Sequence, residues 1–175
     1  TGLMAQAQAL PLTHRSVLAV AVPIMLSNVT EPLIGVVNTA VIGRLPDAYY
    51  IGAIAVGALI FSFLFWGFGF LRLSTGGLSA QATGAGDAAE LAAVFFRAVL
   101  LALGFGLAIV VLSPVIGRFA FRLIGGSAEV TAHAQTYFSW RVLSAPAALV
   151  NFVILGWLTG QGRATAAFVT QVVLN

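Results

Sequence analysis

Long intervals without a charged side chain are the feature that most constrains how this chain can fold. The sequence has 175 residues, of which only eight are basic and five acidic. Uncharged apolar stretches of about 18 residues or more indicate transmembrane helices, because that length spans the hydrocarbon core of a bilayer. Three stretches have this length and no charged residue: 51–71, 98–117 and 142–162. A fourth, 16–43, is longer and contains one acid, Glu31. The charge spacing therefore predicts four complete membrane-spanning helices.

The composition excludes most classes of soluble protein. Hydrophobic residues make up 60% of the chain and charged residues 7%, and the mean hydropathy is +1.03, whereas soluble domains carry about 25% charged residues. There is no cysteine, and the two histidines, His14 and His133, lack partners at ligand spacing. We therefore expect no disulfide, metal or cofactor, and no catalytic cluster indicates an enzyme. The arginines are assigned to membrane interfaces, so nucleic acid is not an expected partner.

We predict an all-α, polytopic transmembrane helix bundle with four full spans and the start of a fifth. Turn-rich segments, "RLPDAY", "GAGDA" and "LIGGSAE", separate the spans. The apolar segment from Ala164 to Asn175 would cover about 18 Å of a hydrocarbon core about 30 Å thick, so we expect the chain to be a fragment. The predicted spans are 16–43, 50–80, 91–117 and 130–160, within an incomplete amino-terminal transmembrane lobe (15–175) that follows a flexible tail (1–14).

Polar residues inside the first span are candidates for a coupling site. Glu31 lies near the middle of the span, where an ionised carboxylate costs about 2.5–3.5 kcal/mol on insertion scales, so it should face protein or water. Asn38 follows seven residues later, which is two helical turns and the same helix face. Pro23 and Pro32 allow this helix to bend. Two structural alternatives stay open: Asn38 could simply bond a neighbouring helix, and Glu31 could lie at a helix end.

The fourth span carries a second polar group. Tyr137 and Arg141 are spaced i, i+4, so a phenol and a guanidinium share one helix face, and Asn151 adds an amide further on. Since a lipid-facing guanidinium is costly, we predict that Tyr137 and Arg141 face an internal cavity. Arg72 is predicted to lie near a membrane interface. Close helix approach is predicted at four glycines, Gly67, Gly69, Gly104 and Gly106.

Three stretches resemble the multidrug and toxic compound extrusion (MATE) family, in particular its DinF-type branch. They are "VPIMLSNVTEPLIGVVNTAVIGRL", "FGFLRLSTGGLSAQATGAGD" and "RVLSAPAALVNFVILGWLTGQGR". The three occur in the family's order and spacing and cover nearly everything after residue 14. The resemblance implies the amino-terminal lobe of a twelve-helix antiporter in a bacterial inner membrane, with a cytoplasmic amino terminus. The implied activity is export of organic, often cationic or amphipathic compounds in exchange for protons or sodium ions. The expected partners are the small-molecule organic substrate, membrane lipid and the remaining transmembrane helices.

The resemblance also assigns roles to individual residues. Pro23 resembles a first-helix proline whose kinking accompanies coupling, and Tyr137 a tyrosine that lines the lobe cavity. Asn38 occupies the position of the family's first-helix carboxylate, where "VDT" is replaced by "VNT". An amide cannot release a proton, so either coupling is impaired or Glu31 has taken the titrating role. Three further residues of this chain resemble ones that are typical of the DinF-type branch: Arg72, Pro146 and Asn151.

Two other functions remain compatible with the sequence. A lipid-linked oligosaccharide flippase of the same superfamily would also have a Gly-rich first lobe, but its cavity would hold several basic residues. A non-transporting structural membrane protein predicts that substitution of Glu31 or Tyr137 leaves drug tolerance unchanged. The distribution of arginines does not choose an orientation, because both sets of loops contain them.

Overall fold

The computed structural model describes residues 14–44 and 48–174, and regular structure in these ranges is entirely helical. It confirms the predicted all-α transmembrane bundle. The predicted tail, apart from His14, lies outside the described residues. The helices are α1 (His14–Ile42), α2 (Ala48–Trp66), α3 (Gly69–Ala85), α4 (Ala88–Ile124), α5 (Ala128–Arg141), α6 (Ala145–Gly160) and α7 (Ala164–Leu174), with a 3-10 turn (Val142–Ser144) between α5 and α6.

Three helical segments in the described part are long and apolar enough to cross a membrane, Tyr49–Ala85, Ala88–Ile124 and Ala128–Gly160. They correspond to the second, third and fourth predicted spans. The first predicted span corresponds to α1, whose 29 residues extend about 44 Å at 1.5 Å per residue. The start of a fifth helix corresponds to α7.

Two of the predicted spans are not single helices. The second span breaks at Gly67 and Phe68, where the amide of Phe68 donates to the carbonyl of Phe65 at 3.0 Å and closes a tight turn. The fourth passes through the 3-10 turn into α6, which has a proline, Pro146, in its first turn. Proline has no N–H to donate to the carbonyl four residues earlier, that of Val142; that carbonyl instead accepts from the amide of Ala145.

The third span is longer than predicted at both ends. The carboxylate of Asp87 accepts from the amide of Glu90 at 2.9 Å and caps the start of α4. The helix runs on to Ile124 and ends at Gly125, whose φ of 68° favours glycine. Arg118 and Arg122 are therefore helical residues, and α4 continues beyond the predicted span of 91–117.

The second and fourth spans run parallel, whereas α4 runs antiparallel to the fourth. Gly57 lies against Tyr137, and Gly76 lies against Gly156. Residues further along the second span therefore contact residues further along the fourth span, as in a parallel pair. Along α4 the order reverses, because Leu91 contacts Trp157 and Gly106 contacts Pro146. These three spans form one bundle, and α1 packs mainly against α7, which in turn contacts α6.

Helices α3 and α6 approach each other closely enough for their backbones to touch. A Cβ placed on Gly156 would collide with the backbone of Arg72, and one on Gly160 would collide with the carbonyl of Gly76 and lie 2.8 Å from the Cβ of Ser79. The two glycines are four residues apart, the small-residue spacing that lets membrane helices pack backbone to backbone.

Of the four glycines predicted to allow close approach, only Gly106 packs against another helix. A Cβ on Gly106 would collide with Pro146, whose nitrogen would be 2.7 Å away. A Cβ on Gly69 or Gly104 would meet nothing within 4 Å. A Cβ on Gly67 would meet only the carbonyl of Leu64, three residues earlier in the same turn. The prediction was wrong for these three, because composition does not show which face of a helix meets a neighbour.

Large apolar side chains cover the outside of the bundle. Phe63, Trp66 and Leu73 are each 78% exposed or more, while Ala102, Leu149 and Val153 are fully buried. A water-soluble domain would not expose so much contiguous apolar surface. The arrangement suits a lipid environment, in which helix association depends on close packing rather than on removing apolar surface from water.

We expect Gly160→Ala to destabilise the full-length protein by about 1–3 kcal/mol, because the added methyl must move a neighbouring backbone. Gly77→Ala is the matched control, since a Cβ there would meet nothing within 4 Å. The control should be neutral or stabilising by up to about 1 kcal/mol. Thermal denaturation in detergent measures both, and equal midpoints would contradict the α3–α6 contact.

Candidate transport site

Tyr137 and Arg141 meet on one face of α5. An N–H of Arg141, on Nη1, donates to the phenolic oxygen of Tyr137 at 3.0 Å. The helical spacing of four residues brings the two side chains together, as the sequence indicated. Tyr137 is half-buried, whereas Arg141 is exposed among the described residues.

The guanidinium of Arg141 also lies over an aromatic ring of α2. Its central carbon is 5.2 Å from the centre of the Phe61 ring, within the range of a cation–π interaction. Phe61 is 2% exposed and stacks on Phe138 at 5.3 Å and on Phe65 at 5.7 Å between ring centres. We call Phe61, Tyr137 and Arg141 the aromatic–arginine cluster.

A glycine of α2 makes room for the phenol. A Cβ on Gly57 would collide with the ring of Tyr137 and lie 2.8 Å from its Cε1. Sequence analysis identified neither Gly57 nor Phe61. Both lie in an apolar stretch that is typical of any membrane helix, and their importance comes only from packing against α5, about 80 residues further along the chain.

The cluster presents hydrogen-bond donors and aromatic surface to a ligand. Since the phenolic oxygen of Tyr137 already accepts from Arg141, its own O–H is available to donate. Among the residues whose side chains the structure describes, the only ion pair joins Arg97 to Glu90, at 3.1 Å. No carboxylate of the described residues therefore neutralises Arg141. Polar acceptors of a substrate can bind the N–H and O–H groups, and its apolar parts can pack on the rings.

Asn151 does not join this cluster. It lies on α6, ten residues after Arg141, which is about 15 Å along the axis. Its side-chain oxygen is buried and has no hydrogen-bond partner among the residues described. The packing of Gly156 on Arg72 places Asn151 level with the break between α2 and α3. An unsatisfied buried acceptor costs about 1–3 kcal/mol, which keeps Asn151 a candidate for binding a donor.

The first-helix candidates lie on a different part of the fold. Helix α1 is continuous from His14 to Ile42 and includes Pro23 and Pro32. Positions 31 and 38 are two turns apart in it, about 10 Å along the axis. The described contacts of α1 are mainly with α7 and, to a smaller extent, with α2. The side chains of Glu31 and Asn38 lie outside the described residues.

Two cavities flank the carboxyl-terminal part of α4. One, of about 570 Å³, lies between α2 and α4 and has an entirely apolar lining that includes Phe63, Leu64 and Phe119. The other, of about 330 Å³, lies between α4 and α5 and includes Arg118, Gln135 and Ser139. Neither contains Tyr137, Arg141 or Asn151. In the described part of the chain no three His, Cys, Asp or Glu residues are grouped as a metal site would need.

Comparison with known proteins identifies the family. The MatE family model matches residues 23–175. The chain belongs to the MatE family. It is also 47% identical over 155 residues to DNA damage-inducible protein F of Escherichia coli (strain K12). This MatE chain is therefore an integral membrane protein, and the predicted resemblance to the DinF-type branch is confirmed.

The alignment with the Escherichia coli relative covers 89% of this chain and 34% of that protein. The chain thus spans about a third of the relative's length. No solved structure matches. The transport roles predicted for Pro23, Glu31, Asn38, Tyr137, Arg141 and Asn151 stay predictions.

We expect Tyr137 and Arg141 to face water in the full-length protein. Single cysteines at 137 and 141, in an otherwise cysteine-free background, should react with a membrane-impermeant maleimide, and an organic substrate should slow the reaction. Trp140→Cys is the control, because Trp140 is 74% exposed and lies about 100° around the helix from Arg141. If positions 137 and 141 react only with lipid-soluble reagents, the cavity assignment is wrong.

Proposed function

We propose that the full-length protein is an antiporter that exports organic, often cationic or amphipathic compounds in exchange for protons or sodium ions. The match of the MatE family model over residues 23–175 is the observation that carries this proposal. The chain would supply most of the first lobe, and the remaining transmembrane helices of the full-length protein would complete the pathway. A bacterial inner membrane fits the Escherichia coli relative, and we propose that the amino terminus lies in the cytoplasm.

The aromatic–arginine cluster supports organic substrates. The face of Phe61 already holds a cation, the guanidinium of Arg141 at 5.2 Å. An organic cation could take that position, because the same ring quadrupole attracts both. Tyr137 would then donate its O–H to an acceptor of the substrate. The displaced guanidinium of Arg141, which is exposed, would then be hydrated by water in the pathway.

Coupling requires a group that releases a proton or binds a cation, and Asn38 supplies only a neutral amide. We infer that Glu31 takes this role. The helical backbone of α1 sets it two turns from Asn38 on the same face, so a carboxylate at 31 could serve the same face as one at 38. Pro23 and Pro32, which lie in the same helix, would allow α1 to bend as the protonation state changes.

Three variants of the full-length transporter test the coupling assignment: Glu31→Gln, Asn38→Asp and the double variant. If Glu31 is the coupling residue, Glu31→Gln should abolish proton-driven efflux, and Asn38→Asp should restore it in the double variant. Efflux of a fluorescent organic cation from energised vesicles measures this, with protein level as the control. A strong gain from Asn38→Asp alone, with little effect of Glu31→Gln, would assign coupling to position 38. Efflux unchanged from the unmodified protein in all three would mean that neither residue couples transport.

The substrate role of the cluster has a separate test. We expect Tyr137→Phe to raise the KM for an organic cation about 3- to 10-fold, since one hydrogen bond is worth about 0.5–1.5 kcal/mol. Thr136→Ala, one residue away and part of neither the cluster nor the cavity between α4 and α5, is the control for helix α5. Unchanged KM and maximal rate in Tyr137→Phe would exclude Tyr137 from the substrate site.

A further inference from the structure

The cavity between α4 and α5 is a polar notch outside the aromatic–arginine cluster. Its volume is about 330 Å³, and four polar side chains line it together with four apolar residues: Ser113, Arg118, Gln135 and Ser139, with Pro114, Gly117, Phe121 and Phe138. Gly117, Phe121 and Phe138 are buried and form its floor. A Cβ on Gly117 would lie 3.3 Å from the ring of Phe138. The absence of a side chain at Gly117 therefore lets the ring of Phe138 pack closely against α4.

The notch lies at the depth of lipid headgroups. Helix α4 has no charged residue from Ala98 to Gly117, which is 20 residues and about 30 Å, the thickness of the hydrocarbon core. Arg97 and Arg118 lie at the two ends of this interval. Arg118 therefore lies where the hydrocarbon meets the headgroups, and Arg122 lies one turn further into the polar region.

The charge of the notch is positive. Arg118 lines it and no carboxylate does. The ion pair of Arg97 with Glu90 is the only one among the described residues, so Arg118 has no acidic partner there. An arginine at an interface binds phosphate oxygens through its planar set of N–H donors.

The hydroxyl groups of the notch offer acceptors. Ser113 donates to the carbonyl of Val110 at 2.7 Å, and Ser139 donates to that of Thr136 at 2.8 Å. Each hydroxyl hydrogen is thus used within its own helix, and the oxygen lone pairs remain for a ligand. For Ser113 this bond has a local cause: Pro114 lacks the N–H that would otherwise reach Val110.

We propose that this notch binds the headgroup of phosphatidylglycerol. The phosphodiester accepts from the guanidinium of Arg118 and the amide N–H₂ of Gln135, and the glycerol hydroxyls donate to the oxygens of Ser113 and Ser139. A phosphatidylethanolamine headgroup brings an ammonium group close to Arg118, which repels it. A choline headgroup has no N–H or O–H to donate to the serine oxygens.

The surface below the notch suits the acyl chains. Val111 and Leu107 lie seven and eleven residues before Arg118, on the same stripe of α4, and Leu143 lies one turn beyond Ser139 on the fourth span. Their exposed fractions are 68%, 61% and 57%. An acyl chain descending from a headgroup in the notch would pack along these side chains toward the centre of the bilayer.

Native mass spectrometry of the full-length protein, released from nanodiscs of mixed phosphatidylglycerol and phosphatidylethanolamine, tests the proposal. The unmodified protein should retain phosphatidylglycerol in preference. Arg118→Gln should lower its occupancy at least about 5-fold and Gln135→Ala about 2- to 3-fold, in line with the loss of charge-assisted and neutral hydrogen bonds. Arg122→Gln removes the same charge one turn away, outside the notch, and should retain the lipid.

The other outcomes overturn the proposal. Equal loss in Arg118→Gln and Arg122→Gln would indicate a diffuse effect of positive charge, and equal retention of both lipids would exclude headgroup recognition. Inorganic phosphate added to the delipidated protein separates the lipid from a free anion. Arg118-dependent binding of phosphate, with no preference among lipids, would assign the notch to soluble anions. Gln135→Ala leaves Arg118 in place, so it gives an independent result if Arg118→Gln does not fold.

Discussion

The contact between α3 and α6 is the interaction on which the rest of the bundle depends. In lipid there is little hydrophobic gain in bringing two helices together, so association requires close packing. Gly156 and Gly160 provide it by letting α6 rest on the backbone of Arg72 and Gly76. This contact fixes the parallel register of the second and fourth spans. The same register places Gly57 beside Tyr137 and Phe61 beneath Arg141, so the geometry of the candidate site follows from a contact between glycines elsewhere in the bundle.

Interruptions of the helices occur close to polar side chains of the membrane interior. The second span breaks at Gly67 and Phe68, level with Asn151, whose buried oxygen has no partner among the described residues. The fourth passes through a 3-10 turn directly after Arg141. Non-helical backbone is tolerated at membrane depth when it is buried in protein or lines a cavity. These breaks are consistent with a transport pathway along the second and fourth spans, and α1, in contrast, is uninterrupted despite its two prolines.

The arginines divide into groups with different surroundings. Arg97 is paired with Glu90, Arg141 lies against Phe61 and Tyr137, and Arg118 lines a notch that contains no carboxylate. A guanidinium in or near a bilayer is costly unless it meets an opposite charge, an aromatic face, water or a phosphate. The first two of these arginines have protein partners of this kind. For Arg118, whose depth is that of the headgroups, a lipid phosphate is the partner that the membrane itself supplies.

The sequence by itself determined the helical class, the approximate positions of the spans, the family and the pairing of Tyr137 with Arg141, because these depend on runs of apolar residues or on neighbours within one helix. Only the tertiary structure decided which glycines are packed: Gly156 and Gly160 are, whereas Gly69 and Gly104 are not. It also decided that Gly57 and Phe61 belong to the candidate site and that Arg118 and Gln135 line one notch. Each of these contacts joins residues that lie far apart in the chain or on different helices. The rotation and register of one helix against another are set by packing between complementary surfaces, and a nearly uniform apolar sequence carries little information about either.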